Sequence, residues 1–138
     1  MPSPGEVRAV AIWAALREVV DPCSLVNGTH LSLVDLGMID DVVVRPDGSV
    51  LISLLLDDPL CLYMGAIHDE IRARTSAALA GAQLEIAIRG DVIWTSEHAT
   101  AETRRKIAQW QEQRRERLAR HVADLPMPRL RQETAGVR

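Results

Sequence analysis

Two cysteines, Cys23 and Cys61, are the residues of this 138-residue chain whose chemistry most needs explaining. Cys61 sits in "LLLDDPLCLYMGAIHDE", residues 54–70, directly after Asp57, Asp58 and a proline. A strand-to-helix link needs a turn residue and a cap, not a thiol. At a helix start, backbone N–H groups and the helix dipole favour an anion, so a thiolate there is stabilised. Asp57 and Asp58 oppose this, because nearby negative charge disfavours ionisation. Two readings follow: Cys61 is a small half-buried residue at a helix start, or the loop presents a thiolate to a metal or cluster.

Cys23 follows Asp21-Pro22. If the end of the first helix approaches the loop, two thiols and the carboxylates of Asp21, Asp57 and Asp58 share one edge. Thiolates suit zinc, iron and iron–sulfur centres. Two cysteines are too few for a closed four-cysteine site, so a bound metal needs His, Asp or a second chain as well. The alternative is two unrelated thiols. His68 lies seven residues after Cys61, about 10 Å along a helix axis, too far to share one metal. His30 and His98 fall on loops. Trp94 either packs over a core edge with its N–H satisfied or faces the site. The chain lacks a Ser–His–Asp context, a glycine-rich phosphate loop and HExxH, and is read as non-enzymatic. A redox pair of Cys23 and Cys61 is the remaining catalytic alternative, although there is no CxxC.

The elements that must position these groups are legible from periodicity. Ala9, Ile12, Trp13, Leu16, Val19 and Val20 make the apolar stripe of a helix over 6–20, with Pro22 stopping it. "CSLVNGTHLS" reads as a loop turning at Asn27-Gly28. "MIDDVVVRPDGSVLISLLL" is a β-hairpin around Pro46-Asp47-Gly48. Its second strand carries Val50, Ile52, Leu54 and Leu56 on one face and Leu51, Ser53 and Leu55 on the other, as an interior strand does. A helix over 62–80 ends at Gly81, and "QLEIAIR" is a third strand, parallel to the second. Thr100 caps a last helix reaching about residue 123, which Pro126 and Pro128 terminate, leaving a frayed end. The expected fold is α+β: one two-layer domain, α-β-β-α-β-α, with a small three-stranded mixed sheet.

Composition narrows the function classes. An apolar fraction of 47% suits a globular chain. No apolar run is long enough for a membrane span, and the start does not read as an export signal, so a reducing cytoplasm is expected. The net charge of −3 hides a split. Residues 1–103 carry six arginines against fifteen acids, a net −9, whereas residues 104–120 carry seven cations against two acids, a net +5. An acidic body with three tryptophans, one tyrosine and no phenylalanine does not suit nucleic acid. The basic tail is a solvated helix or a docking arm for an acidic surface.

Taken as a set, "ALREVVDPC", "LSLVDLGMIDDVVVRPDGSVLISLLLDDPLC", "AIHDEI" and "VIWTSEHAT" resemble the metal–sulfur cluster assembly domain, the family of PaaD-like and SufT-like proteins. The resemblance runs over about residues 7–108, leaving 109–138 as a charged extension. It matches the family's loop cysteine to Cys61. It aligns the family's Asp-Pro-Glu motif with Asp21-Pro22-Cys23, so a cysteine stands where the family has glutamate. It implies a maturation factor that transiently handles iron or an iron–sulfur cluster for a client metalloenzyme, such as a multicomponent oxygenase. Cys61 and Cys23 would be the metal-facing groups, with Asp21, Asp57, Asp58 and Trp94 around them. A non-catalytic adaptor of an oxygenase is the alternative, and the apolar Leu51 and Leu55 on the second sheet face are either a homodimer seam or a surface covered by the last helix.

Overall fold

The computed structural model describes residues 1–58 and 60–126. Helix α1, Pro4–Leu16, begins two residues earlier than the stripe suggests. Ser3 and Glu6 form a reciprocal capping box, and Pro4 takes the first helical position, where its missing N–H costs nothing. The helix also ends earlier. Residues 18 and 19 form tighter i to i+3 bonds to Ala15 and Leu16. The chain then straightens, and Leu33 N–H reaches Val19 O at 2.9 Å while Asp21 N–H reaches Leu31 O at 2.8 Å. Val20 and Ser32 thus form an isolated antiparallel bridge.

Pro22 does not stop a helix; it starts one. The expected loop contains α2, Pro22–Asn27, with Asp21 as N-cap, Pro22 at its first position and Gly28 closing it at φ +83°. The reason is local: an N-cap carboxylate followed by proline is a helix-start pair.

The hairpin forms as expected, with β1 at Ile39–Val44 and β2 at Val50–Leu56. Its turn is closed by Arg45 N–H to Ser49 O at 2.8 Å, and Asp47 accepts from the Ser49 N–H at 2.9 Å. Helix α3 spans Met64–Leu79, β3 spans Leu84–Ile93, and α4 spans Ala101–Asp124. The sheet order is β1-β2-β3, antiparallel then parallel, so β2 is the interior strand. The fold is the anticipated α+β arrangement. The third strand is longer than "QLEIAIR" because it continues past an irregularity until Ile93 pairs with Leu56.

The core lies between the sheet and the pair α1 and α3, which pack on one another. Val50, Ile52, Leu54 and Leu56 meet Ile12, Leu16, Ile67 and Ile71, all buried. On the second face of β2, Leu55 is buried and Leu51 half-buried, beside an Arg45–Glu85 ion pair at 2.7 Å. Helix α4 starts from a firm anchor: Thr100 N–H donates to Asp35 O at 2.9 Å, and its hydroxyl accepts from Thr103 N–H at 3.2 Å. It ends before Pro126, as expected, with Leu125 in extended geometry. The frayed end expected around and after Pro128 lies outside the described residues.

One glycine fixes how the ends of the domain meet. Gly37 adopts φ +70°, and a Cβ there would overlap the His98 carbonyl. Gly37→Ala therefore combines left-handed strain with a backbone clash. It should lower the unfolding free energy by about 2–4 kcal/mol. Urea unfolding of the two proteins measures this, and an unchanged midpoint would show that the close approach does not exist.

Candidate functional site

The candidate site forms at the end of β2, where the chain leaves the sheet. Asp58 builds the turn: its carboxylate accepts from Leu60 N–H at 2.8 Å, and its carbonyl accepts from Cys61 N–H at 3.1 Å. Cys61 is half-buried and packs against the core edge. It is not the first residue of a helix, because α3 starts at Met64 and Tyr63 occupies the cap position. The Cys61 carbonyl instead accepts from Met64 N–H at 3.2 Å, in the turn that leads into α3. The thiol thus precedes the first helical turn, where the dipole acts most strongly.

Asp21 and Cys23 approach from the other side, on α2. Asp21 is buried and accepts from Ser24 N–H at 2.9 Å. Ser24, also buried, donates its hydroxyl to Asp21 O at 2.7 Å and accepts from Leu31 N–H at 2.9 Å. Asp21 is therefore the cap that builds α2, a role that the Asp-Pro spacing encodes but that a metal-ligand reading overlooks. Cys23 is exposed in the first turn of α2.

The tertiary structure brings the two segments within electrostatic reach. The Cys23 thiol is pushed above its ordinary value, first by burial and then by the charges of Asp21, Cys61 and Asp57. The Asp21 carboxyl is likewise raised, first by burial and also by Asp57, against the helix-capping bonds that lower it. Four acidic groups therefore crowd one edge: Asp21, Cys23, Asp57 and Cys61. Like charges at such an edge repel, and a cation there would relieve them. Among the described residues, no group of three or more His, Cys, Asp and Glu side chains is arranged to hold a metal ion. The donor set fits a soft metal by type but does not enclose one within a single chain.

Trp94 makes scaffold contacts. Trp94 donates its indole N–H to Leu36 O at 2.6 Å, and its backbone N–H bonds Leu56 O at 2.9 Å. It packs on the core and ties the strand end beside Asp57 to the 31–37 segment. Asp57 and Asp58 are both exposed. His98 is held locally, its Nδ1 accepting from Thr95 N–H at 3.1 Å. His68 Nε2 is buried and has no hydrogen-bond partner among the described residues. Exposed apolar side chains, missed in the sequence, follow Cys23 and flank Cys61 along the chain. Val26 is 77% exposed, Leu60 83% and Leu62 97%, with Leu25 and Tyr63 also open to solvent. Their signal was present: large apolar residues on a short helix and in a turn too small to bury them.

With this geometry established, comparison with known proteins is informative. The model of the family described as iron–sulfur cluster assembly protein matches residues 9–88. The chain belongs to the iron–sulfur cluster assembly protein family. The match runs from within α1 to the middle of β3 and includes both cysteines. The fold is also similar to solved structures. A domain of unknown function from Bacillus anthracis is 21% identical, with a TM-score of 0.63, covering 76% of this chain and 93% of that one. A conserved hypothetical protein from Thermotoga maritima is 22% identical, with a TM-score of 0.58, covering 71% and 91%. Both likenesses show the fold alone. No curated protein matches the sequence. The outer part of α4 lies beyond the segment matched by the family model.

The crowding of acids has a pH consequence. Native Asp21 holds its proton more tightly than the unfolded chain, whose carboxyl keeps its ordinary value of 3.8. Between these values the native state binds more protons, so Asp21's contribution to stability falls as pH rises from 3.8. Asparagine keeps the helix cap without titrating. Across this range the slope of the urea midpoint against pH should therefore be more positive in Asp21→Asn than in the unaltered protein. Identical pH slopes would show that the carboxyl is not raised.

Proposed function

We propose that the protein is an assembly factor that handles iron or an iron–sulfur cluster as cargo for a client metalloenzyme. Cys61 is the thiol that meets the cargo. The observation that carries this reading is the placement of Cys61 and Cys23 beside Asp21 and Asp57 at one edge of an assembly-family domain. Thiolates are the preferred ligands of iron–sulfur centres. Two thiols without an enclosing third and fourth ligand suit transient holding, with the remaining ligands supplied by another chain. The exposed Leu25, Val26, Leu60, Leu62 and Tyr63, near the two cysteines in sequence, would give a client apolar side chains to contact. A multicomponent oxygenase is one class of client that would need such a factor.

The two cysteines have unequal roles in this proposal. Metal binding needs the thiolate, and the raised Cys23 thiol delivers less of it at neutral pH. Cys23 therefore adds to the binding increasingly as pH rises.

Anaerobic reconstitution with ferrous iron and sulfide tests the reading. The unaltered protein should acquire sulfide-bridged iron absorbance and pass iron to an apo-ferredoxin. Cys61→Ser should retain about a tenth or less of the bound iron, and Cys23→Ser should lose a smaller share that widens with pH. Equal iron content and equal transfer by the unaltered protein and Cys61→Ser would overturn the proposal. An adaptor that works through its exposed apolar side chains alone would then be left, and it predicts that Leu62→Asp, not Cys61→Ser, abolishes client binding.

A further inference from the structure

Helices α1 and α3 pack side by side over the same core, yet their outward faces differ. Helix α3 turns Asp69, Arg72 and Ser76 to solvent, the polar face that a surface helix needs. Helix α1 turns out Val7, Val10, Ala11 and Ala14. Val7 is 55% exposed and Val10 69%. With 3.6 residues per turn these four fall within about 100° of one another, opposite Ile12 and Leu16 in the core. Helix α1 therefore carries two apolar stripes, the mark of a helix covered on both sides. Its two charged residues leave the outer stripe intact: Arg8 donates to Gly48 O at 3.1 Å, towards the hairpin turn, and Glu6 stands at the flank.

The outer stripe is complementary to itself when reversed. Ala11 and Ala14 are small enough to let a second helix approach to about 8 Å between axes. Val7 and Val10 supply the bulk that fits over them. Glu6 and Arg17 stand on one flank, at opposite ends of the stripe, about 16.5 Å apart along the axis. A two-fold axis that reverses the helix keeps that flank together and brings Glu6 of each copy to Arg17 of the other. The contact of Glu6 with Ser3 N–H uses one carboxylate oxygen and leaves the second open. Arg17 is exposed and forms no ion pair among the described residues. Reversal also sets the two helix dipoles against each other, whereas a parallel pair would stack like ends.

We propose that α1 is a homodimer seam, in which two copies of this chain pack α1 antiparallel about a two-fold axis near Val10 and Ala11. Val7 lies over the partner's Ala14, and Glu6 pairs with the partner's Arg17. The seam is one helix pair, below about 1,200 Å² in total, so the dimer is weak and concentration-dependent. The second sheet face is the poorer seam: Leu55 is already buried there, and the Arg45–Glu85 pair lies beside it. Because α1 leads directly to Asp21 and Cys23, the antiparallel pair sets the two thiol edges at opposite ends of the dimer. The seam stands independently of what the thiols bind.

Sedimentation velocity on the full chain tests it. The protein should pass from monomer to dimer as its concentration rises. Val10→Glu, at an exposed position, should weaken that association about tenfold or more while the circular dichroism keeps its native form. Arg17→Glu sets acid against acid at both ends of the seam and should weaken it about threefold or more. Adding Glu6→Arg to Arg17→Glu restores opposite charges and should recover most of that loss, although the Ser3–Glu6 cap is gone; damage to the helix alone would not be recovered. A monomer at every concentration would overturn the proposal. A dimer that Val10→Glu leaves intact and Leu51→Glu disrupts would overturn it too, because the seam would then be the second sheet face. A dimer weakened by Arg17→Glu but not restored by the charge swap would overturn the antiparallel pairing.

Discussion

The burial of Val50, Ile52, Leu54 and Leu56 along one face of β2 is the constraint on which the rest depends. An interior strand pairs on both edges, so it fixes β1 antiparallel on one side and β3 parallel on the other. The parallel partner requires a crossover, and the crossover is α3. The turn holding Asp58 and Cys61 is therefore not a free loop. It is the short span between the end of a buried strand and a helix whose Ile67 and Ile71 are locked in the same core. Trp94 reinforces that strand end by bonding Leu56 O on one side and Leu36 O on the other.

A second constraint brings α2 to the same edge. The backbone bonds joining residues 19–21 to 31–33 close the segment that contains α2, and Ser24 satisfies three groups inside it. Cys23 thus stands on a short, capped helix instead of a wandering loop. The outcome is an edge where burial and the neighbouring acids raise the proton affinity of Asp21 and Cys23. That edge favours anything that brings positive charge, whether a metal cargo or a cationic segment of another chain. The acidic body and basic α4 make the same electrostatic statement at larger scale.

The family match reaches most of the core and both cysteines but stops before α4. The core has few alternative packings, since its apolar positions interlock. The exposed outer half of α4 is bound by no such requirement. Its sequence is free to serve recognition, which is how a shared scaffold acquires a particular partner.

The sequence by itself determined the order of elements, the hairpin turn, the interior strand and the anchor of α4, because each rests on periodicity or on residues adjacent in the chain. It also contained the start of α2 in Asp21-Pro22, although a proline after an apolar stripe reads equally as a stop; the contest was decided by the pairing of residues 19–21 with 31–33, a contact across a dozen residues. The helix start at Met64 was missed for a related reason: Asp58 holds the preceding residues in a turn. Only the tertiary structure decided that Asp21 and Cys23 lie within reach of Asp57 and Cys61, that His68 has an unpartnered nitrogen, and that a groove opens between α2 and α3. Local propensity is written in neighbouring residues, whereas proximity between segments more than thirty residues apart arises only when the shared core closes.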